Sequence, residues 1–287
     1  MCAERALPIP APDPWEGFTD CEWPMIIKKI GDGSFAQAWV AKWHMANVAV
    51  KIMSLDLDTF RPEFNFNCML HHPNVVRFLG AAVNNQIGQT ALIMELCENQ
   101  SLCRLIEKAG PVPTQLPWSR RLALAFDASC GMVYLHARGV LHNDFKSSNL
   151  LIDRAWRCKV CDFGMSKILG LEDPDHTPHS PQWMAPEVLR GEHYSFSADV
   201  FSFGVVLWEL ATLQLPWDQY EQLAVMHLVS NGDTLKYEPP QDPTGDLAPP
   251  PRYVELMEQC LSPEPEKRPT FKEVAVTLEA LCKRRIS

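Results

Sequence analysis

No apolar run in this chain is long enough to cross a bilayer. The longest, Val200 to Trp208, contains Ser202 and falls well short of the roughly 20 residues a spanning helix needs. The start, Met1-Cys2-Ala3-Glu4-Arg5, lacks the apolar core of a signal peptide, and Cys2 stands where N-myristoylation needs glycine. Positive charge is scarce. A formal net charge of −9 argues against a nucleic-acid partner or a general anionic membrane surface. The 10 cysteines have no framework spacing and read as reduced thiols of a cytoplasmic protein. Cys158-x-x-Cys161 has no second pair, so zinc or redox chemistry there is the lesser reading. There is no internal repeat. No Gly-x-Ser-x-Gly elbow is present, which removes the serine hydrolase that a loop with His142 and Asp144 would otherwise suggest.

The patterns that are present change character once along the chain. Residues 1–22 carry Pro8, Pro10, Pro12 and Pro14 and read as an extended lead-in. From Met25 to Leu96 the signal is mostly strand, at Met25–Gly31, Ala38–Lys42, Val48–Met53 and Leu92–Leu96, with one helical stretch around Pro62–Leu70. After Glu98 it is helical, at Ser119–His136, Ala198–Thr212, Tyr253–Leu261 and Phe271–Lys283, while Glu238–Pro251 reads as a loop. The fold class is therefore α+β: a small antiparallel-sheet lobe with one short helix (23–94), a hinge (95–98), a larger mostly helical lobe (99–284) and a tail (285–287).

The chemistry concentrates in Leu141-His142-Asn143-Asp144-Phe145-Lys146-Ser147-Ser148-Asn149-Leu150-Leu151 and in Val160-Cys161-Asp162-Phe163-Gly164. Upstream stand Ile30-Gly31-Asp32-Gly33-Ser34-Phe35-Ala36-Gln37-Ala38 between two strands and Val48-Ala49-Val50-Lys51 on a strand. Glycines in such a hairpin let backbone N–H groups approach phosphate oxygens, and a Rossmann reading fails because a strand follows instead of a helix. These segments resemble eukaryotic protein kinases over about residues 25–284. Trp43, His72-Pro73-Asn74-Val75-Val76-Arg77-Phe78-Leu79-Gly80-Ala81 and Trp183-Met184-Ala185-Pro186-Glu187-Val188-Leu189-Arg190 are similar to the tyrosine-kinase-like group, which includes the Raf and mixed-lineage kinases.

The resemblance implies an ATP- and Mg²⁺-dependent serine/threonine kinase acting on protein hydroxyls in intracellular signalling. It implies that Asp144 is the base, that Lys146 neutralises the transferring phosphate, and that Asn149 and Asp162 hold Mg²⁺. It gives Lys51 the α- and β-phosphates, with Glu63, the only glutamate between Lys51 and Glu95, as its partner. Ile30, Gly31, Gly33, Ser34, Ala38, Ala49, Leu151 and the hinge residues Met94, Glu95 and Cys97 would line the nucleotide site. His142, Asp199 and a Glu187–Arg268 pair would be structural.

The departures keep a second reading open, a pseudokinase-like nucleotide-binding scaffold. Ala36 replaces the third glycine, Ala38 a valine, Asn143 an arginine that clamps a loop phosphate, Ser180 a threonine and His179 a glycine; Thr177, a hydroxyl in a polar stretch, is the expected phosphorylation site of that loop. Pro62 places the start of the helix near Arg61. Asn67 falls either in the apolar spine, unpaired, or on an exposed face.

Overall fold

The structure, a computed structural model, describes residues 22–32, 36–109, 116–169, 180–192, 194–239 and 248–284. The chain forms two units, one from the residues up to Met69 plus Arg77–Leu96, the other from Leu70–Val76 plus Cys97 onward. This is the fold class expected of the sequence.

In the first unit, β1 (Met25–Asp32), β2 (Ala36–Trp43), β3 (Ala46–Ser54), β4 (Phe78–Asn84) and β5 (Gln89–Glu95) make an antiparallel sheet of order β1-β2-β3-β5-β4. Alternation of side chains splits its core by face. Val48, Val50, Ile52, Ala91 and Ile93 pack with Trp23, Trp39 and Trp43 on one side. Met53, Ala81 and Leu92 pack with Phe60 and Phe64 of α1 (Leu57–Met69) on the other.

Helix α1 begins four residues before the expected start at Arg61, so Pro62 lies inside it. Asp56 caps the earlier start: its Oδ1 accepts Asp58 N–H at 3.1 Å and its carbonyl accepts Phe60 N–H at 3.0 Å. The missing N–H of Pro62 is one the Asp58 carbonyl would otherwise receive. Phe60, Glu63, Phe64 and Asn67 repeat at helical spacing and are all buried.

The second unit is built on α3 (Trp118–Ala137), α5 (Phe196–Thr212), α7 (Pro251–Cys260) and α8 (Phe271–Arg284), with the shorter α2 (Leu102–Ala109), α4 (Pro186–Leu189) and α6 (Gln222–Ser230). Helix α3 ends where Gly139 adopts φ 75° and donates its N–H to His136 O, a glycine stop. Short strand pairs β6 (Val140–Leu141) with β9 (Lys167–Ile168), and β7 (Leu150–Ile152) with β8 (Cys158–Val160), frame the loops of interest. Two helical glycines are demanded by contact. A Cβ on Gly131 of α3 would sit 2.6 Å from Asn74 O, and one on Gly204 of α5 would sit 2.8 Å from the Cys260 Cβ. Among the described residues no helix is long and apolar enough to cross a membrane.

Candidate active site

The sheet register gathers the first group of residues. Gly31 pairs with Ala38, Ala38 with Lys51 and Lys51 with Leu92, while Val40 pairs with Ala49 and Ala49 with Met94. Paired residues share a face, so Ala38, Ala49, Lys51 and Met94 stand on the side that carries α1. There Lys51 Nζ meets Glu63 Oε1 at 2.6 Å, with the carboxylate almost fully buried. Sequence elimination found this partner correctly, although the helix around it starts earlier than expected.

Asn67 lies one turn beyond Glu63 and is only 4% exposed. Of the two sequence readings, burial holds, but the amide is not unpaired: Nδ2 donates to Glu63 O at 2.8 Å. Nearby, Glu95 turns its side chain to Arg77, accepting that backbone N–H at 2.7 Å. Ile30 is half exposed. Gly33 and Ser34 lie outside the described residues.

In the second unit Asp144 sits at the centre of a closed polar set. Ser180 Oγ–H donates to its Oδ1 at 2.8 Å, Lys146 Nζ approaches its Oδ2 at 2.7 Å, and Asn149 Nδ2 donates to Oδ2 at 3.1 Å and to the Asp144 carbonyl at 2.8 Å. Lys146 Nζ also donates to Ser180 Oγ at 2.7 Å. Each donor is used in a way that fixes the direction in which the carboxylate points.

The backbone under this set is held by buried groups. Asp199, fully buried at the start of α5, accepts the N–H groups of His142 and Asn143 at 2.9 and 3.1 Å. It also meets His136 Nε2 at 2.9 Å. His142 Nδ1 accepts Asp144 N–H at 3.3 Å, so its proton is on Nε2, which donates to Cys161 O at 3.1 Å. His142 and Asp199 are thus structural, as expected. Asn143 takes φ 65°, a region asparagine tolerates, and spends its Nδ2 on Met165 O at 3.0 Å.

Cys161 N–H donates to Asn149 O at 3.0 Å, which brings Asp162 next to Asn149. Asp162 also sits in the left-handed region, at φ 67°. Asn149 presents its Nδ2 to Asp144, so Oδ1 is the atom left for a cation. A carboxylate and an amide oxygen are hard ligands, and this donor set fits Mg²⁺ completed by waters and phosphate oxygens. Leu151 on β7 pairs with Lys159 and bridges to Ser101, and Cys97 accepts Gln100 N–H at 3.4 Å. Cys158 is fully buried, and burial drives its thiol far above the ordinary range.

Further along, Glu187 and Arg268 form a buried two-pronged pair at 2.6 and 2.8 Å. Arg268 also donates to Ser262 O, Pro263 O and Ser197 O. His179 and Thr177 lie outside the described residues. One residue escaped the sequence reading. Glu209, on the apolar helix α5, is fully buried, accepts Ser147 Oγ–H at 2.6 Å and Trp183 Nε1–H at 2.9 Å, and is pushed by burial up to about 8. The signal was available as a second carboxylate, after Asp199, in a helix whose remaining residues are mostly apolar.

Comparison with known proteins agrees with this geometry. The chain is 39% identical over 268 residues to the serine/threonine-protein kinase CTR1 of Arabidopsis thaliana, covering 90% of this chain and 31% of that protein. It is 36% identical over 279 residues to the probable serine/threonine-protein kinase SIS8 of the same plant, covering 92% and 26%. It is also 36% identical over 261 residues to the dual specificity protein kinase shkD of Dictyostelium discoideum, covering 88% and 34%. The chain thus spans about a third or less of these relatives' lengths. The model of the family described as protein tyrosine and serine/threonine kinase matches residues 25–278. With nearly the whole chain matched, and with relatives that agree with the tyrosine-kinase-like resemblance, the chain belongs to the protein tyrosine and serine/threonine kinase family.

Proposed function

We propose that this chain is the catalytic domain of a serine/threonine protein kinase that transfers the ATP γ-phosphate to protein hydroxyls. The observation that carries the reading is Asp144, held by Lys146, Ser180 and Asn149 in one polar set. Asp144 accepts the acceptor hydroxyl's proton, with Oδ1 already engaged in receiving a hydroxyl proton from Ser180. Lys146 stands 2.7 Å away to neutralise charge developing on the transferring group. Lys51, fixed by Glu63, is placed for the α- and β-phosphates. Asn149 and Asp162 would hold Mg²⁺, which supplies charge neutralisation on the phosphate oxygens when bound.

The alternative of a nucleotide-binding scaffold finds no support, since the relatives carry kinase names and the proposed base, lysine pair and metal ligands are all present. The described cysteines are free thiols, which suits a reducing cytoplasm and a role in intracellular signalling. The test is γ-phosphate transfer from ATP to a generic protein substrate with and without Mg²⁺. Asp144→Ala is expected to lower turnover by about 10²-fold or more while sparing ATP binding. Near wild-type turnover of Asp144→Ala would overturn the assignment.

A further inference from the structure

We propose that Ser180 is a second acceptor for the phosphoryl group: when no protein substrate is bound, its hydroxyl takes the ATP γ-phosphate within the same molecule, and the phosphoserine formed there shuts the site down. The inference rests on the kinase reading and adds to it a self-limiting modification site.

An acceptor hydroxyl needs a base to take its proton, a cation beside the group that it attacks, and a fixed position. Ser180 has all of these. Its Oγ–H donates to Asp144 Oδ1 at 2.8 Å, so the proposed base already receives a hydroxyl proton. Lys146 Nζ, which neutralises charge on the transferring group, donates to the same Oγ at 2.7 Å. A hydroxyl oxygen has two lone pairs; Lys146 engages one, and the other can attack phosphorus. The backbone is anchored as well. Ser180 O accepts Trp183 N–H at 3.0 Å, and Trp183 O accepts Ser202 Oγ–H at 2.7 Å.

Neighbouring hydroxyls are committed elsewhere. Ser147 donates to Glu209 and Ser166 to His142 O. Ser180 is also only 8% exposed, so a foreign kinase has little access to it. The transfer chemistry within its reach is that of its own site. Serine stands here where the resemblance leads one to expect threonine. Without a β-methyl group its χ1 is less restricted, so the oxygen can swing toward phosphorus while the backbone stays in place.

In the step itself, a bond forms between Ser180 Oγ and the γ-phosphorus. The bond from that phosphorus to the oxygen bridging to the β-phosphate breaks, and ADP leaves with the electron pair. The hydroxyl proton passes to Asp144 and then to solvent. The product carries a charge of about −1.5 to −2. That charge stands against Asp144 Oδ1 and draws Lys146 to itself, so neither group remains available to a protein acceptor. A protein hydroxyl and Ser180 compete for Asp144, and bound substrate therefore protects the chain from its own modification.

The experiment incubates dephosphorylated protein with ATP and Mg²⁺, with a generic protein substrate absent or saturating. Peptide mass spectrometry follows phosphate at Ser180, and aliquots report turnover. Without substrate, Ser180 is expected to approach full occupancy with a rate constant independent of protein concentration. Turnover should fall in step, by about tenfold or more, and saturating substrate should slow both changes. A Lys51→Met copy leaves the contacts of Ser180 in place and should stay unmodified when mixed with wild type. Ser180→Ala, whatever its starting turnover, should show no decline during incubation with ATP. Sustained phosphorylation of the substrate with Ser180 unmodified would overturn the proposal. So would a rate that rises with protein concentration, a modified Lys51→Met copy, or full turnover with Ser180 phosphorylated. Absence of transfer to the substrate and to the chain alike would overturn the kinase reading, and the proposal with it.

Discussion

Replacing Asn67 with leucine should stabilise this kinase domain and raise its turnover. Asn67 is 4% exposed on the face of α1 that also carries Phe60 and Phe64. Its Nδ2 bonds to Glu63 O at 2.8 Å, so the substitution removes a contact with a net worth of about 0.5–1.5 kcal/mol. That carbonyl remains the acceptor of the helix's own bond, so no acceptor is orphaned. Against this loss, leucine contributes about 1.5–3 kcal/mol through burial of apolar surface. The balance is a gain of about 1 kcal/mol. A domain of this size should melt about 2–4 °C higher for each kcal/mol gained. If the gain falls on the arrangement in which Lys51 meets Glu63, turnover rises by up to about tenfold per 1.4 kcal/mol. Thermal melting and steady-state turnover of Asn67→Leu and wild type, in the same buffer, decide the matter. A folded variant with an unchanged or lower melting temperature would refute the reasoning, because it would mean the amide is worth more in place than the apolar contact that replaces it.

Two further outcomes are expected. Glu187→Gln strands the fully buried guanidinium of Arg268 without its counter-charge and should cost about 3–5 kcal/mol, read as a drop of roughly 10 °C in melting temperature. Thr177→Ala should change turnover by less than about tenfold, because Asn143 already spends its amide on Met165 O and offers no charge to a loop phosphate; phosphorylation mapping with kinetics of the variant checks this.

The grouping of the proposed catalytic residues was legible because they are contiguous in the chain. Asp144, Lys146 and Asn149 fall within one short segment, so their spacing survives any error in the surrounding elements. Glu63 was legible by elimination. The start of α1 was not, because Pro62 was weighted more heavily than the Asp56 cap, and a proline one and a half turns in was tolerated. Strand β4 and helices α2 and α6 escaped notice because they are short and their sides are set by packing. Asn67 could not be decided from the sequence, since a helix residue's pairing with the carbonyl four positions back depends on a rotamer. Glu209 went unread for a similar reason: its partners Ser147 and Trp183 lie 62 and 26 positions away.

The assignment of Leu70–Val76 to the second unit limits how this chain can be divided. Val76 N–H donates to Val160 O, Val160 N–H to Asn74 O, and the Asn74 amide to Cys158 O. This short stretch therefore serves as an edge partner for β8, the strand that leads into Asp162. A recombinant fragment beginning at Cys97 would lack that partner and would expose buried backbone groups of β8. A fragment ending at Leu96 would carry the stretch with nothing to pair it. Loop closure across these interleaved pieces makes the second unit's folding depend on residues embedded in the first, so the two should unfold in one cooperative transition instead of two.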